Sequence, residues 1–88
     1  MTPDAILAAV RQVTGIEPIG GGQSSSRIYV RRVAVYSLHV IAGLDMKAVA
    51  KALGITVDRA RYTLKQAEGD AGVLAAVGRV RRIIDATT

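Results

Sequence analysis

Residues 46–66, MKAVAKALGITVDRARYTLKQ, restrict the fold more than any other stretch of this chain. Apolar residues recur at helical spacing on both sides of one glycine. The segment reads as a helix, a tight turn at Leu53-Gly54-Ile55, and a second helix. Gly54 stands where the backbone must take a conformation costly for any residue with a Cβ. Ala50 marks a close crossing of the two helices. Val49, Leu53, Ile55, Ala60 and Leu64 supply a small apolar interior for the pair. The ordered set is the pattern of a helix-turn-helix.

The remainder of the chain sets bounds on that motif. Its 88 residues make one domain, 1–88, with one modest core and no room for a nucleotide-binding domain or a second catalytic lobe. Half the residues are apolar, and the three aromatics are all Tyr, so the core must be Val, Ile, Leu and Ala. Ala-rich, Leu-containing segments with two prolines favour helices, which makes the expected class all-α. Cysteine is absent, which excludes disulfides and thiolate metal sites and fits a reducing cytoplasm. Met1 leads straight into Thr2-Pro3-Asp4, a helix start rather than a signal peptide. The apolar runs are too short for a bilayer span.

About five helices are expected. The first covers 3–13, capped by Thr2 or Asp4, with Ile6, Leu7, Val10 and Val13 as its stripe. A loop follows through Ser26. Its Gly20-Gly21-Gly22 run offers backbone N–H groups to a phosphate, but no Lys-Ser/Thr follows and no strand precedes, so a plain loop is preferred. Ser26 or a neighbouring serine caps a second helix over 27–42. That helix is apolar nearly all round and is therefore the central one. Helices over 46–53, 57–66 and 70–85 complete the set, the last with Val73, Val77, Val80 and Ile84 on one stripe.

The net charge of +5 is unevenly spread. Residues 1–26 carry −1, residues 27–65 carry +6, and residues 66–88 carry 0. Positive charge focused on the motif and the helix before it suits a polyanion.

On the fourth helix, steps of about 100° per residue put Val57, Ala60, Thr63, Leu64 and Ala67 in one arc. Asp58, Arg59, Arg61, Tyr62, Lys65 and Gln66 fall in the other. An α-helix fits the DNA major groove, with its N-terminal part nearest the base edges. Thr56, Asp58, Arg59 and Tyr62 are therefore the candidate base readers. Arg59 suits a bidentate bond to guanine. Asp58 either accepts from cytosine N4 or caps the helix and orients Arg59, with capping preferred. Tyr62 suits a thymine methyl or a phosphate. Arg61 and Lys65, toward the groove wall, suit phosphates, as do Lys47 and Lys51 one turn apart on the third helix. Ser25 and Ser26 can reach phosphate, Arg27 a neighbouring minor groove, and Arg31 and Arg32 the backbone. His39, the single histidine, has no partners at metal-ligand spacing and is expected to be a packed or surface imidazole. No paired carboxylates, nucleophile–base pair or metal cluster can be assembled, so neither enzyme activity nor a cofactor is expected.

The passages RIYVRRVAVYSLHVIAGLDMKAVAKALG (27–54) and TLKQAEGD (63–70) resemble the C-terminal DNA-binding domain of the bacterial replication initiator DnaA. That family has a basic approach, a long helix of the kind ARQIAMYLARELTGLSLPEIGRAFG, a recognition helix and a closing helix. Arg31 falls on its arginine in ARQ, Gly43-Leu44 on its GL, and Gly54 on its turn glycine. The resemblance implies a DnaA C-terminal-like, Trp-repressor-like helical fold and binding to double-stranded DNA. The match fails at the family's GRDHST signature. This chain has Ile55-Thr56-Val57-Asp58-Arg59-Ala60 there, and Tyr29 stands where the family commonly has a minor-groove arginine. The family's recognition sequence is therefore not carried over, and its ATPase domain has no counterpart here.

The leading expectation is a sequence-specific transcription regulator, stand-alone or excised from a longer chain, with a phage-like element as one origin such a regulator admits, cytoplasmic and nucleoid-associated. Besides duplex DNA, RNA polymerase or a covalently linked second domain are the partners such a role admits. An accessory factor in replication initiation shares the same chemistry. A helical protein-interaction module with a degenerate motif would lack the polar arc of the fourth helix. A membrane-surface protein would not need a second helix apolar all round.

Overall fold

The computed structural model describes every residue except Met1, Gly21 and Thr88. The middle glycine of the Gly20–Gly22 run and the first residue of the helix-start reading thus lie outside the described residues. The remainder forms five α-helices and no strand: α1 Pro3–Thr14, α2 Ser25–Val40, α3 Met46–Leu53, α4 Val57–Glu68 and α5 Ala71–Thr87.

α2 is the central element, packed against each of the other four. Val33, Ala34 and Val35 are consecutive and fully buried. The two steps of about 100° between them span more than half of the helix circumference, so neighbours must enclose it on several sides. β-Branched valines are indifferent helix formers, and tertiary burial overrides that preference here. α1 and α5 pack on each other and on α2. They do so through Ile6, Leu7, Ala9 and Val10 on one side and Val73, Ala76, Val77, Val80 and Ile84 on the other, all buried.

α3 and α4 are joined by only Gly54, Ile55 and Thr56. Gly54 has φ 69°, and its N–H donates to the carbonyls of Ala50 and Lys51. The Ile55 N–H donates to Ala50 O at 3.0 Å. This αL closure satisfies carbonyls that α3 would otherwise leave open, and a Cβ at Gly54 would be strained. Ala50 and Ala60 are both buried, and their small side chains suit the close packing of α3 on α4.

The structure chooses among the expected caps and moves the ends of α2. Thr2, not Asp4, caps α1, with its Oγ1 accepting from the Ala5 N–H at 3.3 Å. Ser24 caps α2 by accepting from the Arg27 N–H, so Ser25 and Ser26 lie inside the first turn. α2 ends at Val40, two residues early, where Gly43 (φ 71°) allows the Leu44 N–H to reach Leu38 O. Local hydroxyl choice selects among adjacent candidate caps, and composition alone does not rank them.

One core group is uncompensated. Ser37 is fully buried and its Oγ meets no hydrogen-bond partner. An unsatisfied buried hydroxyl costs about 1–3 kcal/mol, and Ala is also the better helix former. Ser37→Ala should therefore raise stability by about 1–2 kcal/mol, or roughly 4–16 °C in Tm for a domain of this size. A thermal midpoint that stays put or falls would mean the hydroxyl is satisfied in solution.

Candidate nucleic-acid interface

α4 separates its two faces as its spacing requires. Ala60, Thr63 and Ala67 are buried, Val57 and Leu64 half-buried. Asp58, Arg59, Arg61, Tyr62, Lys65 and Gln66 are exposed. Tyr62, at 63 % exposure, is the most exposed large hydrophobic side chain among the described residues. An apolar ring held in water on a polar face is free to pack on a partner.

The start of α4 is built differently from the sequence expectation. Thr56 is the N-cap, its Oγ1 accepting from the Arg59 N–H at 3.1 Å. Asp58 does not cap. It sits in the first turn with its side chain 97 % exposed and a carboxylate oxygen 3.8 Å from Arg61 Nη1. Its charge complements the helix N-terminus there. Thr56 therefore has a structural duty, while Asp58, Arg59 and Tyr62 carry none in the core. Lys47 and Lys51 are exposed on α3, and Arg61 and Lys65 on α4.

Arg27, expected at a minor groove, and Arg31 and Arg32, expected on the phosphate backbone, have three different engagements. Arg27 donates to the carbonyls of Glu17, Ile19 and Gly20, the latter two at 3.1 Å each. It is a staple for the glycine loop, not a free arm, and reaching a minor groove would require breaking all three bonds. Arg32 is half-buried and paired with Asp70 at 3.2 Å. Asp70 in turn accepts from the Val73 N–H at the start of α5. Arg31 is only 5 % exposed, and its Nη2 donates to Gly22 O at 2.8 Å. Burial, then the like charges of Arg59 and Arg27, pull its pKa below the ordinary arginine value. A guanidinium nevertheless stays charged at any working pH. Without a ligand, the three residues are a loop staple, an interhelix ion pair and a buried cation.

No family model, curated protein or solved structure matches this chain. Its chemistry must therefore be read from its own side chains.

Arg31 and Arg59 line the same cleft between α2 and α4, with Gln23, Arg32 and Tyr62 around it. It holds about 180 Å³ and adjoins a second hollow of about 210 Å³ that reaches Gly22 and Thr56. Gln23 was not among the residues singled out from sequence. Only the approach of residues 22–24 to α4 brings it there, and no local pattern announces that. Ser25 and Ser26 are exposed and engage no side-chain partner. His39 is a packing residue, with Nδ1 2.8 Å from Leu44 O. Among the described residues no group of His, Cys, Asp or Glu could hold a metal ion, and no helix is long and apolar enough to cross a membrane.

Proposed function

We propose that this chain is a sequence-specific double-stranded-DNA-binding protein of the helix-turn-helix kind, acting in transcription control, with α4 as its recognition helix. The observation that carries this reading is the outward face of α4. Arg59, Arg61, Tyr62 and Lys65 stand exposed on one helix, beyond a three-residue turn from a helix bearing Lys47 and Lys51. A helix of this width enters a major groove, cations on it meet phosphate, and its first turns meet base edges. The likeness of residues 27–54 to the DnaA C-terminal domain supports the same reading. It also supports the neighbouring role, an accessory factor at replication origins, which differs only in the DNA sequence bound.

In this arrangement Arg59 and Tyr62 read bases, Asp58 orients Arg61 or accepts from cytosine, and Lys47, Lys51, Arg61 and Lys65 hold phosphates. Thr56 acts through its cap. Arg27 and Arg32 support the interface by fixing the loop and α5 rather than by touching DNA.

Selection of bound duplexes from a random pool is the direct experiment, since it tests binding and yields the site together. Arg59→Ala should then lose about 1–3 kcal/mol on the selected duplex and far less on a scrambled one. Fluorescence anisotropy on the two duplexes reads the difference. Equal affinity of parent and variant for the selected duplex would remove Arg59 as a base reader, and an unenriched pool would remove the DNA-binding reading altogether.

A further inference from the structure

We infer that the cleft between α2, α4 and the 22–24 segment is a site for one phosphate-class oxyanion, held between Arg31 and Arg59. Arg31 is 95 % buried by its 5 % exposure, and it lines both hollows of the cleft. Its Nη2 is used by Gly22 O, but no acceptor among the described residues meets its Nε. A buried charge is normally paired. Arg31 has no carboxylate partner among the described residues. The ion pairs found are Arg11–Glu17, Arg32–Asp70 and Arg61–Asp58. Asp70, the acid that pairs with the adjacent Arg32, is already divided between Arg32 and the start of α5. The charges acting on Arg31 are Arg59 and Arg27, both of the same sign.

The cleft is therefore lined by Gln23 and three arginines, of which Arg32 is paired with Asp70 while Arg31 and Arg59 have no countercharge among the described residues. An oxyanion supplies that countercharge and offers acceptors in several directions, which planar N–H forks match well. Water can fill the space and accept from Nε, but it cannot neutralise the charge. Volumes of about 180 and 210 Å³ admit a phosphate with a few waters, each occupying about 30 Å³ in the liquid. The same chemistry comes from two sources, free phosphate or a phosphodiester of a duplex. The inference stands without the DNA-binding reading, because it starts from the unbalanced charge of the buried Arg31; Arg59 alone is shared with the outward face of α4.

The test is nitrogen–proton NMR of the full chain, following the Arg31 Nε–H signal. Inorganic phosphate is titrated at constant ionic strength against chloride, and a short duplex is titrated in parallel with binding read by anisotropy. Saturable movement with phosphate but not chloride is expected. Arg59→Gln, which leaves the core intact because Arg59 is exposed, should weaken that response about tenfold, the loss of one charge-assisted bond. Movement with the duplex alone assigns the backbone as the source and also supports the site. A signal that responds to neither ligand, or equally to phosphate and chloride, or identically in Arg59→Gln, overturns it. Phosphate binding without duplex binding would keep this site and defeat the DNA reading. Duplex binding with an Arg31 signal that neither the duplex nor phosphate moves would do the reverse.

Discussion

Raising salt from about 50 to 200 mM should weaken duplex binding roughly 150- to 500-fold. The figure comes from counterion release, in which log affinity falls with log salt at about −0.9 per phosphate neutralised. The exposed cations assigned to phosphates on α3 and α4 are Lys47, Lys51, Arg61 and Lys65, with Arg59 kept for a base. Arg31 adds a fifth if a backbone phosphate enters the cleft. Arg27 and Arg32 are excluded because loop carbonyls and Asp70 already engage them. About four to five phosphates give a slope near −3.6 to −4.5, and a fourfold rise in salt then gives the stated loss. The Lys47→Ala, Lys51→Ala double variant should flatten the slope by about 1.8. Arg79, Arg81 and Arg82 on α5 are also exposed, and they serve as the contrasting set. If their removal flattens the slope while the α3 lysines do not matter, the interface lies on α5. A slope near zero would leave the basic middle of the chain as a solvated surface.

How far the sequence could be read depends on the range of the interactions involved. The central place of α2 was legible in Val30, Val33, Ala34, Ser37 and Leu38, because residues of low polarity spread around a helix leave little side for water. The two arcs of α4 were legible for the same local reason, and so was the turn at Gly54. The arginines of α2 were not legible. Arg32 is placed by Asp70, 38 residues away, and Arg27 by carbonyls of Glu17, Ile19 and Gly20. Backbone acceptors carry no side-chain signature, so a basic cluster beside a glycine loop looks the same whether it faces solvent or is tied to the loop. The cap of α4 failed for a smaller reason. Thr56 and Asp58 are both good capping types, and only the register of the three-residue turn decides between them.

Leu38→Ala should lower stability by about 3–5 kcal/mol, in the upper part of the range for buried leucine. Leu38 is fully buried on α2, the helix that touches the other four, so the lost contacts belong to several elements at once. The core offers little to refill the space. Its other large side chains are mainly valines, with no Phe or Trp present, and Val relaxes poorly because its χ1 is restricted. A chain of this length is stable by about 4–13 kcal/mol in total, so one substitution removes a large share. The expected fall in Tm is roughly 12–40 °C. Leu74→Ala on α5 provides the contrast, since Leu74 is 38 % exposed and should lose less than about 1 kcal/mol. Urea unfolding separates the two, provided the dependence on denaturant is unchanged between variants. A similar small loss for both would show that α2 is not the shared wall of the bundle. The cleft would then lose its physical basis, because Arg31 is held under the loop only while α2 is fixed against α4. A large loss at Leu38 alone would instead tie the position of that buried cation directly to the packing of the core.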